Sequence, residues 1–135
     1  MNCYRLITLV IAVSATSAYA SESNVDLYER FDDMRVVAVV DIADINSSPM
    51  WNPGVNPLPL TVDGAIQSIR DFIKQPNLTG AIEKIEIRTI KSHPGHWHYL
   101  FKVSTNDTNS SGYKMYAVLM NGTVIPAFIE PDAIK

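Results

Sequence analysis

The stretch Thr61-Val62-Asp63-Gly64-Ala65-Ile66-Gln67-Ser68-Ile69-Arg70-Asp71-Phe72-Ile73-Lys74-Gln75-Pro76 carries the clearest helical period in the chain. The Thr61 hydroxyl can accept from the free amides of a first turn, and Asp63 complements the positive end of the helix dipole. Val62, Ala65, Ile66, Ile69, Phe72 and Ile73 recur on one helical face, while Gln67, Ser68, Arg70, Asp71 and Lys74 fall on the other. Pro76, which cannot donate an amide and clashes with the preceding turn, ends the element. The spacing predicts an amphipathic helix from Thr61 to Gln75 that must lie on an apolar surface.

The residues that follow supply that surface. Ile85 and Ile87 alternate with Lys84, Glu86 and Arg88, the period of a strand with one wet face. After the turn His93-Pro94-Gly95-His96, the residues Trp97, Tyr99, Phe101 and Val103 share one strand face and His98, Leu100, Lys102 and Ser104 the other, so the aromatic side is the expected core. A polar loop from Thr105 to Gly112 leads to a strand from Tyr113 to Met120. Asn121-Gly122 then matches a type I′ hairpin turn, and Thr123 to Ile129 returns as a last strand. Pro126 places that strand at a sheet edge or on a bulge.

Upstream, Val36, Val37, Val39, Val40 and Ile42 mark Arg35 to Ile45 as a buried strand. Asn46 to Pro59 is a long connection in which Pro49, Pro53, Pro57 and Pro59 forbid regular structure, with Trp51 pinning it to the body. Ser21 to Met34 reads as a short helix or an ordered lead-in. The sum is a single α+β domain over residues 21–135, with the helix covering one face of an antiparallel sheet.

Residues 1–20 stand apart. Arg5, the apolar run Leu6 to Val13 and the small residues up to Ala18-Tyr19-Ala20 form a secretory signal peptide, cleaved after Ala20; the run is shorter than the roughly 20 residues that span a bilayer. Cleavage removes Arg5 and Cys3, so the mature chain is more acidic, thiol-free and not membrane-spanning. A periplasmic or secreted location is expected. Five Asn-x-Ser/Thr sequons begin at Asn46, Asn77, Asn106, Asn109 and Asn121, and would be modified in a eukaryotic secretory pathway.

Residues 60–129 resemble the PepSY-like class of small secreted bacterial domains. Leu60-Thr61-Val62-Asp63-Gly64-Ala65-Ile66 opens the helix, His98-Tyr99-Leu100-Phe101-Lys102-Val103 forms a central strand, and Tyr116-Ala117-Val118-Leu119-Met120-Asn121-Gly122-Thr123-Val124 gives the closing strand and turn. Here Asp63 is followed by Gly64 rather than the usual Ala, and a bare Asn121-Gly122 replaces an Asp-rich approach to the final Gly. The resemblance implies one helix packed on a curved antiparallel sheet of about four to five strands, as in cystatin-like folds. It also implies a bacterial source, binding or inhibition of a protease or another periplasmic partner, and no catalytic residues.

Composition narrows the function classes. The chain has 135 residues, 47% of them apolar, with 11 Lys+Arg against 14 Asp+Glu and a formal charge of -3. That sign argues against nucleic acid as a partner. One Cys cannot build a disulfide framework, a Cys-rich zinc site or a CxxC redox centre. Catalysis finds no Gly-x-Ser-x-Gly elbow and no mature thiol, so the chain is read as a non-enzyme and a small hydrolase stands as the weakest alternative. The leading reading is a non-catalytic binding domain for a protein or peptide of the envelope, modulating a protease or another envelope protein, with Trp51, Trp97 and Tyr99 as contact residues. The runner-up is a periplasmic metal-binding protein. His93, His96 and His98 would hold zinc or copper, since His96 and His98 sit at the i, i+2 spacing of one strand side.

Overall fold

The computed structural model describes residues 23–31, 34–74, 81–105 and 112–130. The expected signal peptide and its cleavage site, the Pro76 stop and the centre of the Thr105–Gly112 loop lie outside them. Eight elements follow in order: β1 (Asn24–Phe31), β2 (Met34–Asp41), α1 (Ile42–Ser47), α2 (Val62–Ile73), β3 (Ile82–Thr89), β4 (Trp97–Ser104), β5 (Tyr113–Leu119) and β6 (Val124–Glu130).

The expected fold, one helix on a sheet of about four to five strands, is corrected. The described residues form a sheet-dominated structure: a six-stranded antiparallel sheet in the order β1-β2-β6-β5-β4-β3, with two short helices. The additional strand is β1, read from sequence as a helix or lead-in. It pairs along its whole length with β2, Val25 opposite Val40 and Leu27 opposite Ala38, and these pairs bury apolar side chains that a short solvated helix would expose. β2 also stops earlier than expected. Asp41 caps α1 by accepting from the Ala43 amide at 2.9 Å, and the turn of helix buries Ile45.

β6 lies inside the sheet rather than at its edge. Its first half pairs with β5, up to Met115 opposite Ala127, and its second half pairs with β2 from Val37 opposite Phe128 to Arg35 opposite Glu130. Pro126, which has no amide hydrogen, falls where the β2 ladder has already ended. The hairpin between β5 and β6 is also not type I′. Only Gly122 has positive φ, at 88°, while Asn121 Oδ1 accepts from the Thr123 amide at 3.0 Å and Leu119 N donates to Thr123 O at 3.0 Å. This is the three-residue hairpin with glycine in the left-handed position.

The true edges are β1 and β3, and the sheet curls until they meet. Arg88 on β3 pairs with Glu29 on β1 and donates to the Arg30 carbonyl at 2.7 Å. The outer face is covered by α2 over β5 and the start of β6 as well as over β3 and β4, with Ala65 and Ile69 packed on Tyr99, Phe101, Val103, Tyr116 and Val118 and Val124 beside them. Thr61 caps α2 through the Gly64 amide at 3.1 Å, as its position implied. The inner face buries Leu27, Val36, Ala38, Val40, Leu100, Met115, Ala117 and Leu119 together with Ile45 and Ile90. Both sides of β4 are therefore core. Each large aliphatic or aromatic side chain so buried contributes roughly 1.5–3 kcal/mol, which must stabilise a chain without disulfides.

Candidate functional site

Two places bring polar and aromatic groups together from distant parts of the sequence. The first is built by the Pro-rich connection. Trp51 N donates to Gly95 O at 3.0 Å, Trp51 Nε1 to Asn56 O at 3.1 Å, and Trp97 Nε1 to Trp51 O at 3.0 Å. The two indoles meet edge to face with centroids 4.9 Å apart, the geometry in which a ring edge meets a neighbour's negative face. Gly95, at φ 86°, leaves room for the Met50 side chain, which a Cβ there would strike. Between the loop and the turn opens a cleft of about 440 Å³ lined by Met50, Trp51, Asn52, Asn56, Pro94 and Gly95. Among the described residues its lining carries no ionisable group, and Met50 is 62% exposed at its rim.

The second place is the seam between β1 and β3. Glu29 lies between Arg88 and His98, one carboxylate oxygen paired with the guanidinium and the other 3.7 Å from His98 Nε2. Arg88 also holds Glu86, its Nε donating to Oε2 at 2.7 Å. His98 is fully buried, and among the described residues neither ring nitrogen has a hydrogen-bond partner. Burial, reinforced by the Arg88 charge, pushes its pKa down to about 4. Burial raises the Glu86 carboxyl, but hydrogen bonds from Lys84 and Arg88 outweigh it and hold the group below its ordinary value. Above the seam a cleft of about 270 Å³ is lined by Val25, Asp26, Leu27, Glu29, Thr89, Lys91 and Ser92.

The residues expected to act divide between these places. Trp51 and Trp97 meet at the first, where they fasten the loop. Tyr99 is not a contact residue: it is fully buried under α2, with its hydroxyl donating to the Leu60 carbonyl. His93, His96 and His98 do not converge. His93 and His96 lie in the turn with ring centroids 6.4 Å apart, β4 begins only at Trp97, and His98 turns to the inner face. Among the described residues no three His, Cys, Asp or Glu side chains are placed to hold a metal ion, so the expected zinc or copper site is not assembled. The charged side of β3, expected to be wet, is partly drawn in: Arg88 reaches β1 and holds Glu86, while Lys84 beyond them stays 42% exposed. Glu29 lies in a strand whose polar residues read as a solvated lead-in; the alternation Val25, Leu27, Glu29 is the sequence signal for it.

No family model, no curated protein and no solved structure matches the chain. The resemblance of residues 60–129 to PepSY-like domains thus rests on its motifs alone. Among the described residues no helix is long and apolar enough to cross a membrane.

Proposed function

We propose that the chain is a secreted, non-catalytic binding domain whose Trp51 loop and His93–His96 turn grip an uncharged, apolar peptide segment of an envelope protein. One observation carries this reading: a proline-rich loop that would otherwise be mobile is fixed by three hydrogen bonds and an indole pair, yet keeps Met50 exposed beside an uncharged cleft. Fixing a contact loop before binding lowers the ordering cost of association. Met50 and the Trp51 ring offer adaptable apolar contact, and the Asn52 and Asn56 carboxamides suit peptide N–H and C=O groups.

Panning a random peptide library on the purified protein tests the reading. Enriched peptides are expected to carry an apolar anchor and to lose binding at least about tenfold on the Met50→Asp variant, since a charge would enter an uncharged cleft. Absence of enrichment, or peptides that bind Met50→Asp equally well, sinks the proposal. PepSY-like modulation of a protease then becomes a direct assay of the enriched sequences as fragments of a protease or its substrate.

A further inference from the structure

The edge strands β1 and β3 meet without forming a ladder: among the described residues no backbone pairing joins them, and the sheet runs from one to the other through β2, β6, β5 and β4. One side chain bridges the gap. Arg88 reaches from β3 to the Glu29 carboxylate and the Arg30 carbonyl, while Glu86 holds it from its own strand. β1 is otherwise tied by its ladder to β2 and by Leu27, which shares an inner core cluster with Ile45, Ile90 and Leu119. A strand hydrogen-bonded along one side only can part from its other neighbour without breaking a ladder.

The groups that face His98 make that parting depend on a proton. Glu29 comes from β1, its second carboxylate oxygen 3.7 Å from Nε2, and Arg88 is the register partner of His98 on β3. The inner faces of β2 and β5 and the buried side of α1 present Ala38, Val40, Leu119 and Ile45, all uncharged. Asp26 and Lys91 line the cleft above the seam. A neutral imidazole leaves Glu29 to Arg88. An imidazolium there needs Glu29 for itself, stands against the Arg88 charge and, being fully buried, is cut off from bulk solvent. We propose that the β1–β3 seam is an acid-operated latch: a proton on His98 sets two cations in competition for the Glu29 carboxylate, Arg88 loses its hold, and β1 parts from β3 so that water reaches the ring. The device is local, because β2, β4, β5 and β6 keep their ladders and the core under α2 stays closed. The closed-in imidazole ionises at about 4 against 6.5 as its ordinary value, so the ratio of open to closed seam rises about fiftyfold between roughly pH 7 and 4.5.

Thiol labelling reads the opening where it happens. Ile90→Cys lies behind β1 and Val118→Cys under α2, each in a chain whose own Cys3 is replaced by Ser. A thermal melt shows each variant folded, and dithiodipyridine, which reacts with thiols in acid, labels each at a rate taken relative to the same variant unfolded at the same pH. Dilute urea separates local from whole-chain opening, because the slope of an opening with urea scales with the surface it exposes. Ile90→Cys is expected to label about fiftyfold faster at pH 4.5 than at pH 7, with little dependence on urea. Val118→Cys is expected to label only through whole-chain unfolding, with a steep dependence. Adding His98→Leu is expected to abolish the acid rise at residue 90. Leu27→Cys, on the β1 side of the same cluster, is expected to repeat the result and serves where Ile90→Cys does not fold. A urea dependence at residue 90 as steep as at residue 118 shows that only the whole chain opens and overturns the latch. So does a rate at residue 90 indifferent to pH, or an acid rise that survives His98→Leu. Peptide selection at the Trp51 cleft is independent of each outcome.

Discussion

The Trp51 loop and the β1–β3 seam both close long loops of chain, and they do so by opposite means. At the loop, every indole N–H finds a carbonyl and the contact is otherwise apolar and uncharged. At the seam, two carboxylates share one guanidinium above a buried imidazole whose nitrogens find no hydrogen-bond partner among the described residues. A satisfied apolar junction depends little on solution conditions. A junction of charges around an unsatisfied base depends on pH and on each of its members, because removing one leaves another uncompensated.

The contrast can be broken from either side. Trp97→Ala should have the largest effect, about 3 kcal/mol of stability, since it removes the ring that supports Trp51 and the hydrogen bond to the Trp51 carbonyl. A melt shows the loss, and limited proteolysis should cut within residues 49–59. A change below about 1 kcal/mol would show that the indole pair does not fasten the loop.

Acid should act on the seam almost as strongly. His98 titrates at about 4 in the folded state against 6.5 as its ordinary value, so between these values the unfolded chain binds more protons. Stability is complete above about pH 6.5, falls by about 3 kcal/mol as pH drops to about 4, and loses nothing further from this group below that. Glu86, whose pKa is lowered, adds to the loss in the same direction below its ordinary value of 4.5. Denaturant titrations at several pH values should give a slope between pH 6.5 and 4.5 that vanishes in His98→Leu; an unchanged slope would assign it to other groups. At neutral pH, His98→Leu should be neutral within about 1 kcal/mol, because it replaces an unsatisfied buried polar group by an apolar one. Between these in size, Arg88→Ala should cost about 2 kcal/mol by leaving Glu29 and Glu86 half-buried without their cation. Equal stability at neutral pH would mean that the carboxylates are hydrated and the seam is open.

The sequence made legible those elements whose cause is local. Thr61, Asp63 and the apolar period that follows define α2 without help from the rest of the chain, and the alternation in Trp97–Ser104 defines β4. β1 was illegible because its polar residues, Asp26, Glu29 and Arg30, resemble a solvated lead-in until pairing with β2 and contact with Arg88 give them partners. The same dependence on curl hid the site. His98 and Arg88 are register neighbours, which the hairpin reading allowed, but Glu29 reaches them only because the two edge strands of the sheet meet. Pro126 misled for a related reason: it excludes a strand from the sheet interior only where its missing amide would face a continuing ladder, and the β2 ladder stops before it.

The position of β6 has a further consequence, for time rather than stability. This strand is the last of the described elements, yet among the described strands it alone joins the β1–β2 hairpin to the β3–β5 meander within the sheet. The two halves can each zip up early from near neighbours, but neither can complete its hydrogen bonds until residues 124–130 have arrived between them. Closing contacts such as Val37 with Phe128 carry high loop entropy, so the native sheet forms late and slowly. A chain still emerging from its ribosome stays unlocked until residues 124–130 are free to enter the sheet.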